Sequence, residues 1–126
     1  MRLLLDTNIL LALAPGHSTT LPLRIADVVQ SADNICFASV ASVWEVAIKC
    51  RLGKLAIASP TEFANFVDHA GIDLLSITRA HVLAELDEQP ETRDPFDRLL
   101  LAVCQIEGLR LITLDRALAT HPLAWR

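Results

Sequence analysis

Along this chain, short apolar runs alternate with stretches in which apolar residues recur every three or four positions, the pattern of strands alternating with helices. Arg2 to Leu5 is a strand-like run ending in Asp6-Thr7-Asn8, after which Ile9, Leu10, Leu11 and Leu13 predict a short helix stopped by Pro15-Gly16. Leu21, Ile25, Val28 and Val29 carry a second helix to Ser31, Ala32-Asp33-Asn34 breaks it, and Ile35 to Ala38 predicts the next strand. Ser39 or Ser42 can cap a third helix, in which Val40, Val43, Trp44, Ala47 and Ile48 form an apolar stripe and which Gly53 is placed to stop. Ser59-Pro60-Thr61-Glu62 combines a capping serine, proline at the first helical position and glutamate three residues after the cap, opening a helix that ends at Gly71. Ile72 to Ile77 predicts a third strand, Thr78 to Leu86 a helix and Asp87 to Thr92 a polar loop. Asp94-Pro95 then opens a long helix through Leu99, Leu100, Ala102, Val103 and Ile106 to Gly108, and Leu111-Ile112-Thr113 predicts a fourth strand.

This order predicts an α/β fold, with a central, mostly parallel sheet of four to five strands flanked by helices and ligands held at the carboxyl ends of the strands. No repeat, low-complexity tract or Gly/Ser linker divides the chain. Its 126 residues, 52% of them hydrophobic, suit one well-packed domain covering residues 1–126.

Composition removes several classes of function. No apolar stretch is long enough to span a bilayer, and Met1-Arg2-Leu3-Leu4-Leu5 meets Asp6 too soon to form a signal-peptide core, so no membrane contact and a cytoplasmic location are expected. Cys36, Cys50 and Cys104 have no C-x-x-C spacing and read as reduced core residues. His17, His69, His81 and His121 form no ligand-spaced pair, which argues against zinc. A formal net charge of −4 argues against coating nucleic acid by bulk electrostatics. It leaves room for a nuclease, because bound cations cancel the charge of an acidic site.

Four acids carry the candidate chemistry. Asp6 follows the first strand and Asp115 the last, Glu45 lies in a helix among Trp44, Val46, Ala47 and Ile48, and Asp97 opens the long helix. Each also has a structural explanation. Asp6 can cap a helix, Glu45 can pair with Lys49 four residues on, and Asp97 can complement the helix dipole behind the Asp94 cap. Taken together, two strand-end aspartates, an interior helical glutamate and a helix-opening aspartate point to one shared site. Oxygen-only clusters of this kind select hard cations, Mg²⁺ or Mn²⁺. Arg93, Arg98 and Arg116 flank these acids and Lys49, Arg51 and Lys54 crowd the end of the Glu45 helix, either as solvated surface or as a grip on a phosphate backbone.

In Leu3-Leu4-Leu5-Asp6-Thr7-Asn8, Ala41 to Lys49, Leu52-Gly53-Lys54-Leu55, Arg93 to Leu100, and Ile112-Thr113-Leu114-Asp115-Arg116, the chain resembles the PIN-domain ribonucleases, and within them the VapC-type toxins of bacterial toxin–antitoxin pairs. The resemblance implies an endoribonuclease in which Asp6, Glu45, Asp97 and Asp115 form an acidic quartet around Mg²⁺ or Mn²⁺. It also implies Thr113 as a hydroxyl beside that site; Asn8, Arg98 and Arg116 are expected with it toward the RNA, Arg98 or Arg116 offsetting charge on the phosphoryl oxygens. Its partners would be a cognate antitoxin and a second copy in a homodimer. Asn8 and Thr92 stand where close relatives often carry histidine, so no histidine-assisted step carries over.

Three other readings compete. An aspartyl-phosphate enzyme of the haloacid dehalogenase type needs a second aspartate where Asn8 stands, and a receiver domain needs paired acids at the first strand end and a lysine after a late strand. A protein-binding module would keep the acids for a basic partner and cleave nothing.

Overall fold

The computed structural model describes residues 1–16, 20–56 and 59–126, which leaves His17 outside the described residues. The elements run β1 (Arg2–Leu5), α1 (Thr7–Leu13), α2 (Leu23–Gln30), β2 (Ile35–Ser39), α3 (Val40–Arg51), α4 (Pro60–His69), β3 (Asp73–Leu75), α5 (Arg79–Leu83), α6 (Pro95–Glu107), β4 (Arg110–Ile112) and α7 (Arg116–Ala119). The four strands form one all-parallel sheet in the order β3-β2-β1-β4. A fifth chain segment joins its edge only at the single parallel bridge between Leu111 and Ala124.

The interior strand β1 explains both cores. Successive side chains of a strand point to opposite faces. Leu3 and Leu5 accordingly join Ile9, Leu10, Ile25, Val46, Phe63 and Val67 on one face, while Leu4 joins Phe37, Leu100, Leu101, Val103 and Leu118 on the other. All three leucines are fully buried. Both faces are covered, as a parallel sheet requires.

Local chemistry sets the helix ends. Asp94 accepts from the Phe96 N–H with Pro95 at the first helical position, and α6 closes at Gly108, whose φ of 69° is the left-handed conformation that glycine adopts without strain. Ser59 accepts from the Glu62 N–H at the start of α4. Among the described residues no helix is long and apolar enough to cross a membrane. The three cysteines are free, with Cys36 and Cys104 buried and Cys50 half-buried.

Four elements depart from the sequence pattern, the first being β3, which spans Asp73–Leu75 rather than Ile72 to Ile77. Helix α5 stops at Leu83 rather than Leu86, because Ala84 turns to an extended backbone. Helix α7 carries no periodic signal, being four residues long. The largest difference is the rotation of α3. Its buried residues are Ala41, Ser42, Glu45 and Val46, whereas Val40 and Trp44 of the expected apolar stripe are exposed, Trp44 to 60%. Two polar side chains, Ser42 and Glu45, are turned inward.

Candidate active site

The chain leaves β1 toward β2 and β3 on one side and returns to β4 on the other, so the direction of winding reverses between β1 and β4. In open parallel sheets, ligands sit beyond the carboxyl ends of the strands at such a reversal. Here Leu5 pairs with Ile112, and the residues that follow are Asp6 and Thr113. The Asp6 N–H continues the ladder to the Ile112 carbonyl at 3.0 Å, and the Thr113 hydroxyl donates to Asp6 Oδ2 at 2.6 Å. Thr113, expected near the site, therefore lies against its first acid.

Asp6 is 5% exposed and also caps α1, its Oδ1 accepting from the Thr7 N–H at 2.7 Å. The capping and site readings are thus compatible. Burial pushes its carboxyl above the ordinary aspartate value; the Thr113 hydroxyl and the Thr7 N–H oppose the shift, and the charges of Glu45 and Asp115 add to it.

Glu45 enters from α3. It is 7% exposed, and its Oε1 accepts from the Thr7 hydroxyl at 2.7 Å while Oε2 pairs with Lys49 Nζ at 2.7 Å. The Thr7 oxygen also lies 2.9 Å from Ser42 Oγ. Thr7 has one hydroxyl proton and a carboxylate only accepts, so that proton goes to Glu45 and the Ser42 hydroxyl supplies the second bond. This network explains the rotation of α3: satisfied partners at Ser42 and Glu45 hold that face inward and leave Trp44 outside, its ring 5.5 Å edge-on from Phe96.

Asp97 lies in the first turn of α6, where its Oδ2 accepts from Thr92 at 3.1 Å. Its pKa is pushed up to about 6, first by burial, then by Asp94, with the Thr92 hydroxyl opposing and Asp6 and Asp115 adding further repulsion. Asp115 caps α7 through the Ala117 N–H at 2.9 Å, and its own N–H donates to Thr113 Oγ1 at 3.0 Å. Thr113 therefore ties Asp6 to Asp115.

All four acids act on one another through Asp6. As the side chains stand, however, no three His, Cys, Asp or Glu residues among the described ones are grouped closely enough to hold a metal ion. The donor set still suits a hard cation. It is all oxygen, two of its members are raised by burial and mutual repulsion, and Asp97 Oδ1 and Asp115 Oδ2 receive no hydrogen bond among the described residues. Because no buried side-chain oxygen among the described residues lacks a partner, those two atoms are open to solvent. Their lone pairs are free for ligation.

The remaining expected residues sit further out. Asn8, Arg98 and Arg116 are exposed. Arg98 lines a cleft of about 310 Å³ with His81, Leu86 and Ala102, which directs it toward α5. The described histidines are engaged elsewhere: His81 bonds Glu107 and the Thr78 N–H, His121 the Glu88 carbonyl, and His69 the Asn65 carbonyl. Thr7 and Ser42 join the site through Glu45. Nothing in the sequence signals their contact with Glu45, because the pairing crosses from α1 to α3.

The sequence pattern of the PIN domain family matches residues 3–122. In fold the chain is similar to one described as "Toxin-antitoxin complex from Klebsiella pneumoniae", with a TM-score of 0.60 and 21% identity over 98% of this chain and 95% of that one. At that identity the likeness speaks for the fold. No curated protein matches the chain.

Proposed function

The chain belongs to the PIN domain family, and from that premise we propose that it is a metal-dependent endoribonuclease, the toxin of a toxin–antitoxin pair. The observation that carries the proposal is the convergence of Asp6, Glu45, Asp97 and Asp115, drawn from four separate segments, on the winding reversal beyond β1 and β4. Asp97 and Asp115, with open oxygens, and Asp6 would hold Mg²⁺ or Mn²⁺, with Glu45 joining them or orienting water. When bound, such an ion supplies Lewis acidity and lowers the pKa of water for attack on a phosphodiester.

The chain's own residues prepare that chemistry. Thr113 and the Thr7 N–H fix both oxygens of Asp6, so the carboxylate presents its remaining lone pairs in one orientation. Thr7 holds Glu45 in the same way from α1. Asn8, Arg98 and Arg116, all exposed, would meet the RNA, the arginines offsetting charge on the phosphate oxygens.

The named complex of the similar structure suggests an antitoxin partner, and the exposed Trp44, Val82 and Leu83 offer apolar surface for it and for a second copy of the chain. A protein that remains monomeric by light scattering and unchanged on adding the cognate antitoxin contradicts both partner assignments.

The test is incubation with total bacterial RNA and Mg²⁺ or Mn²⁺, beside an EDTA control and Asp97→Asn, with new 5′ ends mapped by sequencing. Discrete ends that vanish in both controls are expected. No ends from folded protein under either metal reject the nuclease and favour a binding module that keeps its acids for a basic partner.

A further inference from the structure

The four acids are not equivalent, because one of them already has a cation. Lys49 Nζ lies 2.7 Å from Glu45 Oε2. This differs from an ordinary surface pair at i,i+4. The Glu45 side chain is 9% exposed and that of Lys49 40%, so the lysine reaches inward from solvent to a buried carboxylate. Its ammonium is also favoured in the charged form, against the opposing effect of its own burial, by acids of three segments: by Glu45 on its own helix first, then by Asp94 at the start of α6 and by Asp6 at the end of β1. Among the four acids of the site, only Glu45 is bridged to a lysine or arginine within the described residues.

We propose, resting on the metal-dependent reading above, that Lys49 is a competitor built into the site: its ammonium holds Glu45 in the cation-free protein, and a divalent ion binds by displacing it. Two observations support this. Both oxygens of Glu45 are engaged, one by Thr7 and one by Lys49. Lys49 has the partial exposure that allows its flexible stem to swing out to water while Glu45 stays buried. A dication entering beside a fixed ammonium meets like-charge repulsion, which at this depth weakens its binding about three- to ten-fold. Lys49 is therefore a residue that sets the metal requirement rather than one that touches the reacting phosphate. Releasing it would place a cation at the rim of the site only after the metal is in.

The experiment is calorimetric titration of the full chain with Mn²⁺ at low ionic strength, comparing the unaltered protein with Lys49→Gln and Lys49→Arg, together with the melting temperature of each without metal. The expected result is that Lys49→Gln binds Mn²⁺ about three- to ten-fold more tightly yet melts lower when metal-free, while Lys49→Arg retains both original values. Equal or weaker binding by Lys49→Gln overturns the proposal and leaves the lysine as a simple support for Glu45. A second measurement stands if that variant misfolds: the lysine side-chain NMR signals of the unaltered protein during a Mg²⁺ titration. Lys49 signals that move with the same midpoint as metal binding support displacement, and signals that stay still while Mg²⁺ binds overturn it. If the unaltered protein takes up neither ion, the metal-dependent reading falls first and this proposal with it.

Discussion

Two corners of the same site treat negative charge in opposite ways. At the α1–α3 corner, Glu45 is buried but satisfied, with a hydroxyl on one oxygen and an ammonium on the other. At the β4–α6 corner, Asp97 has one threonine hydroxyl, lies beside Asp94, feels Asp6 and Asp115, and is pushed up to about 6. The first corner is arranged as folded proteins usually arrange buried charge, with partners supplied internally. The second is left short of positive charge. Such uncompensated acids at a ligand-binding edge mark the place where charge must come from outside.

The largest expected difference between the corners is in catalysis and stability together. Asp97→Asn is predicted to lower RNA cleavage by about 100-fold or more. Yet it should raise the metal-free melting temperature above pH 7, because it removes a strained charge. Glu45→Gln should lower that melting temperature, since it breaks a satisfied pair. Melting temperatures that shift in the same direction would erase the distinction.

A smaller effect follows from pH. Folded Asp97 is raised to about 6 from an ordinary value of 3.8, so the folded state binds this proton more tightly than the unfolded one. The sign follows: on account of this group, stability is greatest at low pH and falls as pH climbs from about 4 through about 6. For metal binding the proton is a competitor, so Mn²⁺ affinity should rise about ten-fold between pH 5 and pH 7, and calorimetry at both values checks it. An affinity flat across that range would place the ion away from Asp97.

The smallest effect belongs to the satisfied corner. Thr7→Val removes the hydroxyl between Ser42 and Glu45 and is expected to destabilise the fold by about 1–3 kcal/mol, measured by urea denaturation. A neutral result would mean that Thr7 does not hold Glu45 in solution.

Much of this contrast could be read in the sequence, and the unread part has a physical reason. Asp6 and Asp115 were visible because each follows an apolar run, and a parallel sheet aligns strand ends. Asp97 was visible because Asp94-Pro95 marks a helix start two residues earlier. Glu45 was visible only as an acid among apolar neighbours, and those neighbours misled about its helix: periodicity favoured Val40 and Trp44 as the buried face, whereas hydrogen bonds from Thr7 and Ser42 turn the opposite polar pair inward. Pairings between residues 7, 42 and 45 depend on how α1 meets α3, and no local pattern encodes that. Helix α7 was missed because a four-residue element has no period to detect.

The decisive measurement is Mn²⁺ binding followed by electron paramagnetic resonance, comparing the unaltered chain with Asp97→Asn at pH 7.5. Loss of free-Mn²⁺ signal with the unaltered chain and its return with Asp97→Asn is the predicted result, since the under-compensated corner supplies the ligands. Identical binding by both proteins, or none by either, would contradict the assignment of this acidic edge as a cation site.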